Sequence, residues 1–184
     1  YESFDNKQPP CQLLKSGDTS PFVSASGSLA AKQSYALVVF GTVANPVTLI
    51  QGDSSPQVNP GNTQLRFVHA AFATAGLDVY LTTPGLSLTN LSAQYQMGYS
   101  GNTSFALTNT GDYELRLVRS NSGFVAYDSG TFSLADHATQ TVYLFSKDGT
   151  PCIHVLKVTQ AGGDPAPVPT TLAPGEHARP APPT

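Results

Sequence analysis

The sequence predicts an all-β protein. It reads as tandem sandwich repeats of immunoglobulin-like or transthyretin-like type, the first incomplete, followed by an extended Pro-rich C-terminal arm. Three observations predict this. Short runs rich in Val, Tyr, Phe, Leu and Thr recur between clusters of Gly, Asn, Asp and Pro. No window holds apolar residues at i, i+3, i+4 and i+7 for three turns, so helix signals are nearly absent. Three sequence anchors also recur in the same order along the chain.

The expected strands are Tyr35–Phe40, Val47–Ile50, Gln64–Ala70, Leu77–Leu81, Ser104–Leu107, Tyr113–Val118, Phe124–Asp128, Gly130–Leu134, Thr139–Phe145 and Cys152–Val158. Glu114 and Arg116 alternate with Tyr113, Leu115 and Leu117, as in a strand with one wet face. Thr110-Gly111-Asp112, Asn121-Ser122-Gly123 and Lys147-Asp148-Gly149 supply turn residues that tolerate positive φ.

The repeat is carried by Phe22-Val23 with Ser26-Gly27 against Phe124-Val125 with Ser129-Gly130. Tyr35–Phe40 then matches Gln140–Phe145, and Pro46–Ile50 matches Pro151–Val155. The second copy opens with two strands, Gln64–Ala70 and Leu77–Leu81, for which the first has no counterpart. The expected domains are a partial sandwich at 1–62, a complete one at 63–158 and an extended tail at 159–184. A sandwich short of strands exposes sheet edges, which invites strand addition from elsewhere. The tail has seven prolines among its last 24 residues, with Gly162-Gly163 as a hinge. Its composition suits a polyproline-like arm or an edge strand, because proline has no N–H to give a central ladder.

Composition narrows the function classes. Only 11% of the 184 residues are charged, well below the quarter or so usual for globular domains. The formal charge is -3 and the pI is near 5.7, with no basic cluster, so no nucleic-acid footprint is present. No run approaches the length of a membrane-spanning helix, and no membrane insertion is expected. The chain begins at Tyr1 rather than Met and reads as a processed or truncated product. Cys11 and Cys152 are too few for a disulfide scaffold and fit no zinc spacing. They are candidates for one intrachain bridge, for an intersubunit bridge, or for free buried thiols.

Leu65-Arg-Phe-Val-His-Ala70 followed by Gly76-Leu-Asp-Val-Tyr-Leu81 resembles the opening of a bacterial secreted family catalogued as domain of unknown function 4397. Tyr99 with Ser104-Phe105, and the run Gly111–Leu117, resemble its later parts. The resemblance covers 64–158 well and 1–62 more weakly, as the back of a preceding copy. It implies β-sandwich domains, often in tandem, exported to the envelope or outside the cell. It implies no mechanism. The missing front of the first copy departs from the family's pattern.

His69 and Asp78 are the residues most like a site. They fall in two strands of what reads as one hairpin, as a structural polar pair or, less simply, a metal or catalytic pair. A metal would need a third ligand, and His137, His154 and His177 lie at no ligand-like spacing. Asp112 and Glu114 share a strand face, which reads as solvated and helped by Arg116. No nucleophile elbow, phosphate loop or dinucleotide fingerprint is present, so no catalytic residue, cofactor or metal is assigned. Tyr95, Met97 and Tyr99 alternate, either as ordinary strand packing or as a Tyr-faced patch.

The expected role is therefore non-enzymatic. The chain reads as a structural subunit of an extracellular or cell-surface polymer, a filament or matrix fibre, assembling by strand or arm exchange with copies of itself. Tyr1, Phe4, Pro165, Pro167, Pro169 and Pro174 are the assembly candidates. The alternative is a monomeric cell-envelope binding module for a glycan or protein ligand, with a concave patch near Tyr95 and Tyr99.

Overall fold

The computed structural model describes residues 11–30, 33–53, 57–120, 122–146, 150–161 and 168–172, the stretches 160–161 and 168–172 by their backbone. The chain divides into two compact units, Tyr1–Pro56 and Gln57–Thr184. All regular structure among the described residues is β.

The first unit holds two separate two-stranded sheets. β1 (Cys11–Leu13) pairs antiparallel with β2 (Val23–Ala25). Gly17, at φ 89°, makes the intervening turn, and Phe22 N–H donates to Leu13 O at 2.9 Å to close it. β3 (Tyr35–Gly41) and β4 (Pro46–Gly52) form the second hairpin, in register from Tyr35↔Gly52 to Gly41↔Pro46. Asn45 N–H closes its turn by donating to the carbonyl and hydroxyl of Thr42, each at 3.1 Å. Every residue of β3 is half-buried, so this strand has no sharply dry face.

The second unit is sandwich-like. β5 (Asn62–Ala70), β6 (Gly76–Thr82), β7 (Tyr95–Gly98), β8 (Ala106–Asn109), β9 (Gly111–Arg119), β10 (Val125–Leu134), β11 (Ala138–Ser146), β12 (Ile153–Ala161) and β13 (Val168–Leu172) form two sheets. Their orders are β10-β9-β6-β7 and β13-β12-β11-β5-β8. Leu65, Phe67, Leu77, Val79, Leu115, Leu117, Val142, Leu144 and Val155 lie in one buried cluster with Met97, Tyr127, Leu134 and Ile153. Each buried Leu or Val contributes about 1.5–3 kcal/mol relative to exposure. The alternation in β5, β6 and β9 is thus a statement about which face meets the opposite sheet.

Two strand expectations are corrected. Phe124–Asp128 and Gly130–Leu134 are one strand, β10, with a register shift between Asp128 and Thr131. Ser129 Oγ accepts from Leu115 N–H at 2.8 Å, and Asp128 Oδ1 accepts from Gly130 N–H at 2.8 Å. These side chains replace the ladder bonds that a bulge loses, so the chain bends at Gly130 without turning back. β5 and β6, expected as one hairpin, belong to opposite sheets. β5 already has β11 beside it in parallel and β8 on its other edge, so β6 crosses over to pair with β9 and β7.

The tail contributes β13, which pairs antiparallel with β12 from Val155↔Leu172 to Thr159↔Val168. It sits at the edge of its sheet, where Pro169 can occupy a strand without breaking an interior ladder.

Candidate functional site

His69 and Asp78 are not brought together. His69 is fully buried on β5. Its Nδ1 accepts from Ala71 N–H at 3.2 Å, so the neutral ring carries its proton on Nε2. Nε2 meets no partner at hydrogen-bond geometry. Burial pulls the imidazole down to about 4, and the Thr74 backbone only partly offsets this. The ring edge faces Tyr99, 6.2 Å between centroids, and burial pushes that phenol up. This is a structural histidine held neutral at physiological pH.

Asp78 stands on the other sheet, where its Oδ1 accepts from Ser120 Oγ–H at 2.8 Å. It forms part of a polar hollow of about 300 Å³ lined by Gly76, Asp78, Gln96, Met97, Gly98 and Ser120. The strand ladder explains the hollow. Gly76 lies opposite Gly98, and Asp78 opposite Gln96, in the β6–β7 register. Leu77 and Met97 turn into the core, so their neighbours turn outward. A Cβ on Gly98 would meet nothing within 4 Å, whereas one on Gly76 would come within 3.0 Å of Ser120 Oγ. One glycine leaves the space open, and the other lets Ser120 close against the strand.

Tyr95 and Met97 do not form an exposed patch. Tyr95 packs against the core cluster, with its ring 5.5 Å from that of Phe67, and Met97 is buried. Ordinary strand packing holds here, and the concavity near Tyr95 and Tyr99 is made by Gln96 and Gly98 instead. Sequence reasoning missed these two residues, as well as Ser120. A glycine ending each of two paired strands is visible in the sequence, but their pairing is not.

The wet face expected at Glu114 is also corrected. Glu114 is buried, and its Oε2 accepts from Gly85 N–H at 2.7 Å. Arg116 donates to Thr82 Oγ1 at 2.7 Å and to Leu86 O at 2.5 Å, and its Nε lies 3.7 Å from Glu114 Oε1. The pair pins the loop after β6 over the strand face. Asp112 is exposed and accepts from Ser133 Oγ–H at 2.6 Å. The two carboxylates serve different contacts.

Cys11 and Cys152 are free and exposed, neither bridged to each other nor buried. Among the described residues, no group of three His, Cys, Asp or Glu is placed to hold a metal. His137 occupies a turn at φ 53°, and His154 stacks on Phe145 at 5.6 Å. Of the assembly candidates, Pro169 lies in β13, opposite Val158. Tyr1, Phe4, Pro165, Pro167 and Pro174 lie outside the described residues, as does His177.

The model of a family described as domain of unknown function (DUF4397) matches residues 10–80. Over this stretch the chain is similar to that family. The DUF4397 match runs from the first hairpin through most of β6, and so takes in His69 and Asp78. It includes the front stretch that the sequence comparison placed more weakly, while residues 81–158 lie outside it. No curated protein matches the chain.

Proposed function

We propose that this chain is a non-enzymatic structural subunit, at the cell surface or outside the cell, that joins copies of itself by exchanging β13. The observation that carries this is the edge position of β13. It pairs with β12 through a backbone ladder, and a neighbour's arm could make the same ladder. The tether, residues 162–167, contains Gly162, Gly163, Pro165 and Pro167. A short tether holds its own arm at an effective concentration on the order of millimolar. Exchange therefore requires crowding or a second contact between copies, as in a growing fibre.

The first unit supports the same reading. Its hairpins β1–β2 and β3–β4 follow the order of β9–β10 and β11–β12, as a truncated tandem copy would. Among the described residues it has no strands in the roles of β5 and β6. A charge-poor surface also tolerates close approach of like chains.

The test places cysteines at the register pair Leu156↔Thr171, as Leu156→Cys and Thr171→Cys, in a chain carrying Cys11→Ser and Cys152→Ser. Oxidation at high protein concentration should give a ladder of covalent oligomers on a non-reducing gel. Cross-linked monomer alone at every concentration sinks the proposal.

A further inference from the structure

We propose that the hollow between β6 and β7 binds a neutral hydroxylated ligand, a single sugar ring of a glycan. This is independent of arm exchange.

Size comes first. About 300 Å³ lies at the lower end of ligand pockets, enough for one ring and its hydroxyls. Charge comes next. Asp78 is the one charged residue in the lining, which disfavours phosphate and carboxylate ligands. The hydrogen-bonding pattern then separates polyols from cations. Asp78 and Gln96 sit side by side across the β6–β7 ladder, on the outward face. One offers only acceptors when ionised, and the other offers both an acceptor and two donors. Neighbouring sugar hydroxyls each donate and accept, so such a pair matches two of them. A cation could use the acceptors alone and would leave the amide donors facing it. Ser120 spends its proton on Asp78 Oδ1, which fixes the carboxylate and leaves the hydroxyl oxygen as an acceptor. Gly98 leaves the space beside Gln96 open, while Ser120 closes over Gly76 on the neighbouring strand.

The experiment is an amide-resolved NMR titration of the full chain with methyl glycosides of glucose, galactose and mannose, with calcium chloride and arginine methyl ester in parallel. At least one glycoside should shift amides at 76–78, 96–98 and 120, with a dissociation constant on the order of millimolar. Gly98→Val fills space that is open in the native chain, so the spectrum of the fold should persist while the response disappears. Asp78→Asn should weaken the response roughly tenfold or more. Overturning results are silence toward all three glycosides, shifts elsewhere, a response that survives Gly98→Val, or a response only to calcium or arginine methyl ester.

Discussion

The two units use the same kind of strand to very different effect. In Gln57–Thr184, nine described strands enclose a cluster of buried side chains, and hairpins are stitched together by β5 and β6. In Tyr1–Pro56, four described strands form two hairpins, and no other described strand joins them. β3 is more apolar in sequence than β11, yet all of it is half-buried, while β11 is mostly buried. A strand's burial is set by its neighbours as much as by its own residues. Isolated two-stranded hairpins are marginal in water, and three or more strands over a dry face are needed for independence.

Separating the units would test this contrast most severely. A chain of residues 57–184 should unfold cooperatively by circular dichroism, and a chain of 1–56 should show no cooperative transition. A sharp transition in the latter would break the contrast.

Core truncation should give the next largest effect. Leu117→Ala removes a fully buried side chain and should cost about 2–5 kcal/mol in urea denaturation. Val39→Ala, in half-buried β3, should cost under about 1 kcal/mol by the same measurement.

Acid should act on the second unit through His69. Its folded value is about 4 against 6.5 when unfolded, so the unfolded chain takes up the proton first. Stability should be fully present above about 6.5 and fall as pH drops toward 4, by about 3 kcal/mol in all. His69→Phe should flatten that dependence in denaturation curves, at a cost of about 1–3 kcal/mol for the unmet Ala71 N–H. An unchanged pH slope would assign acid sensitivity elsewhere.

Arg116→Lys should act least. It loses the Nη2 contacts with Thr82 and Leu86 and should cost about 1 kcal/mol. Hydrogen exchange should quicken in residues 83–91 while the β9–β10 ladder stays protected.

Much of the fold was legible because alternation is a local signal. β3, β4, β5, β6, β9, β11 and β12 fall close to their expected ranges, since each is long enough to show its period. β1 and β2 have three residues each and β7 has four, too few for a pattern to rise above chance. β13 was less legible still, because Pro169 argues against a strand everywhere except at an edge. The site was legible by residue but not by partner. Asp78 stood out, yet Ser120, its hydrogen-bond partner, comes just after the end of β9, and nothing between them in sequence announces the meeting. His69 stood out too, but its acceptor role is satisfied two residues away by Ala71 N–H.

The parallel pairing of β5 with β11 also sets an order of events for a chain being made. Thr63 and Ala138 are 75 residues apart, yet the Thr63 hydroxyl donates to the Ala138 carbonyl at 2.9 Å. Closing so long a loop is slow compared with forming β6–β7 or β9–β10 locally. As the chain emerges from the ribosome, β5 therefore waits with one hydrogen-bonding edge unpaired until β11 arrives. In that interval the protein is most exposed to mispairing.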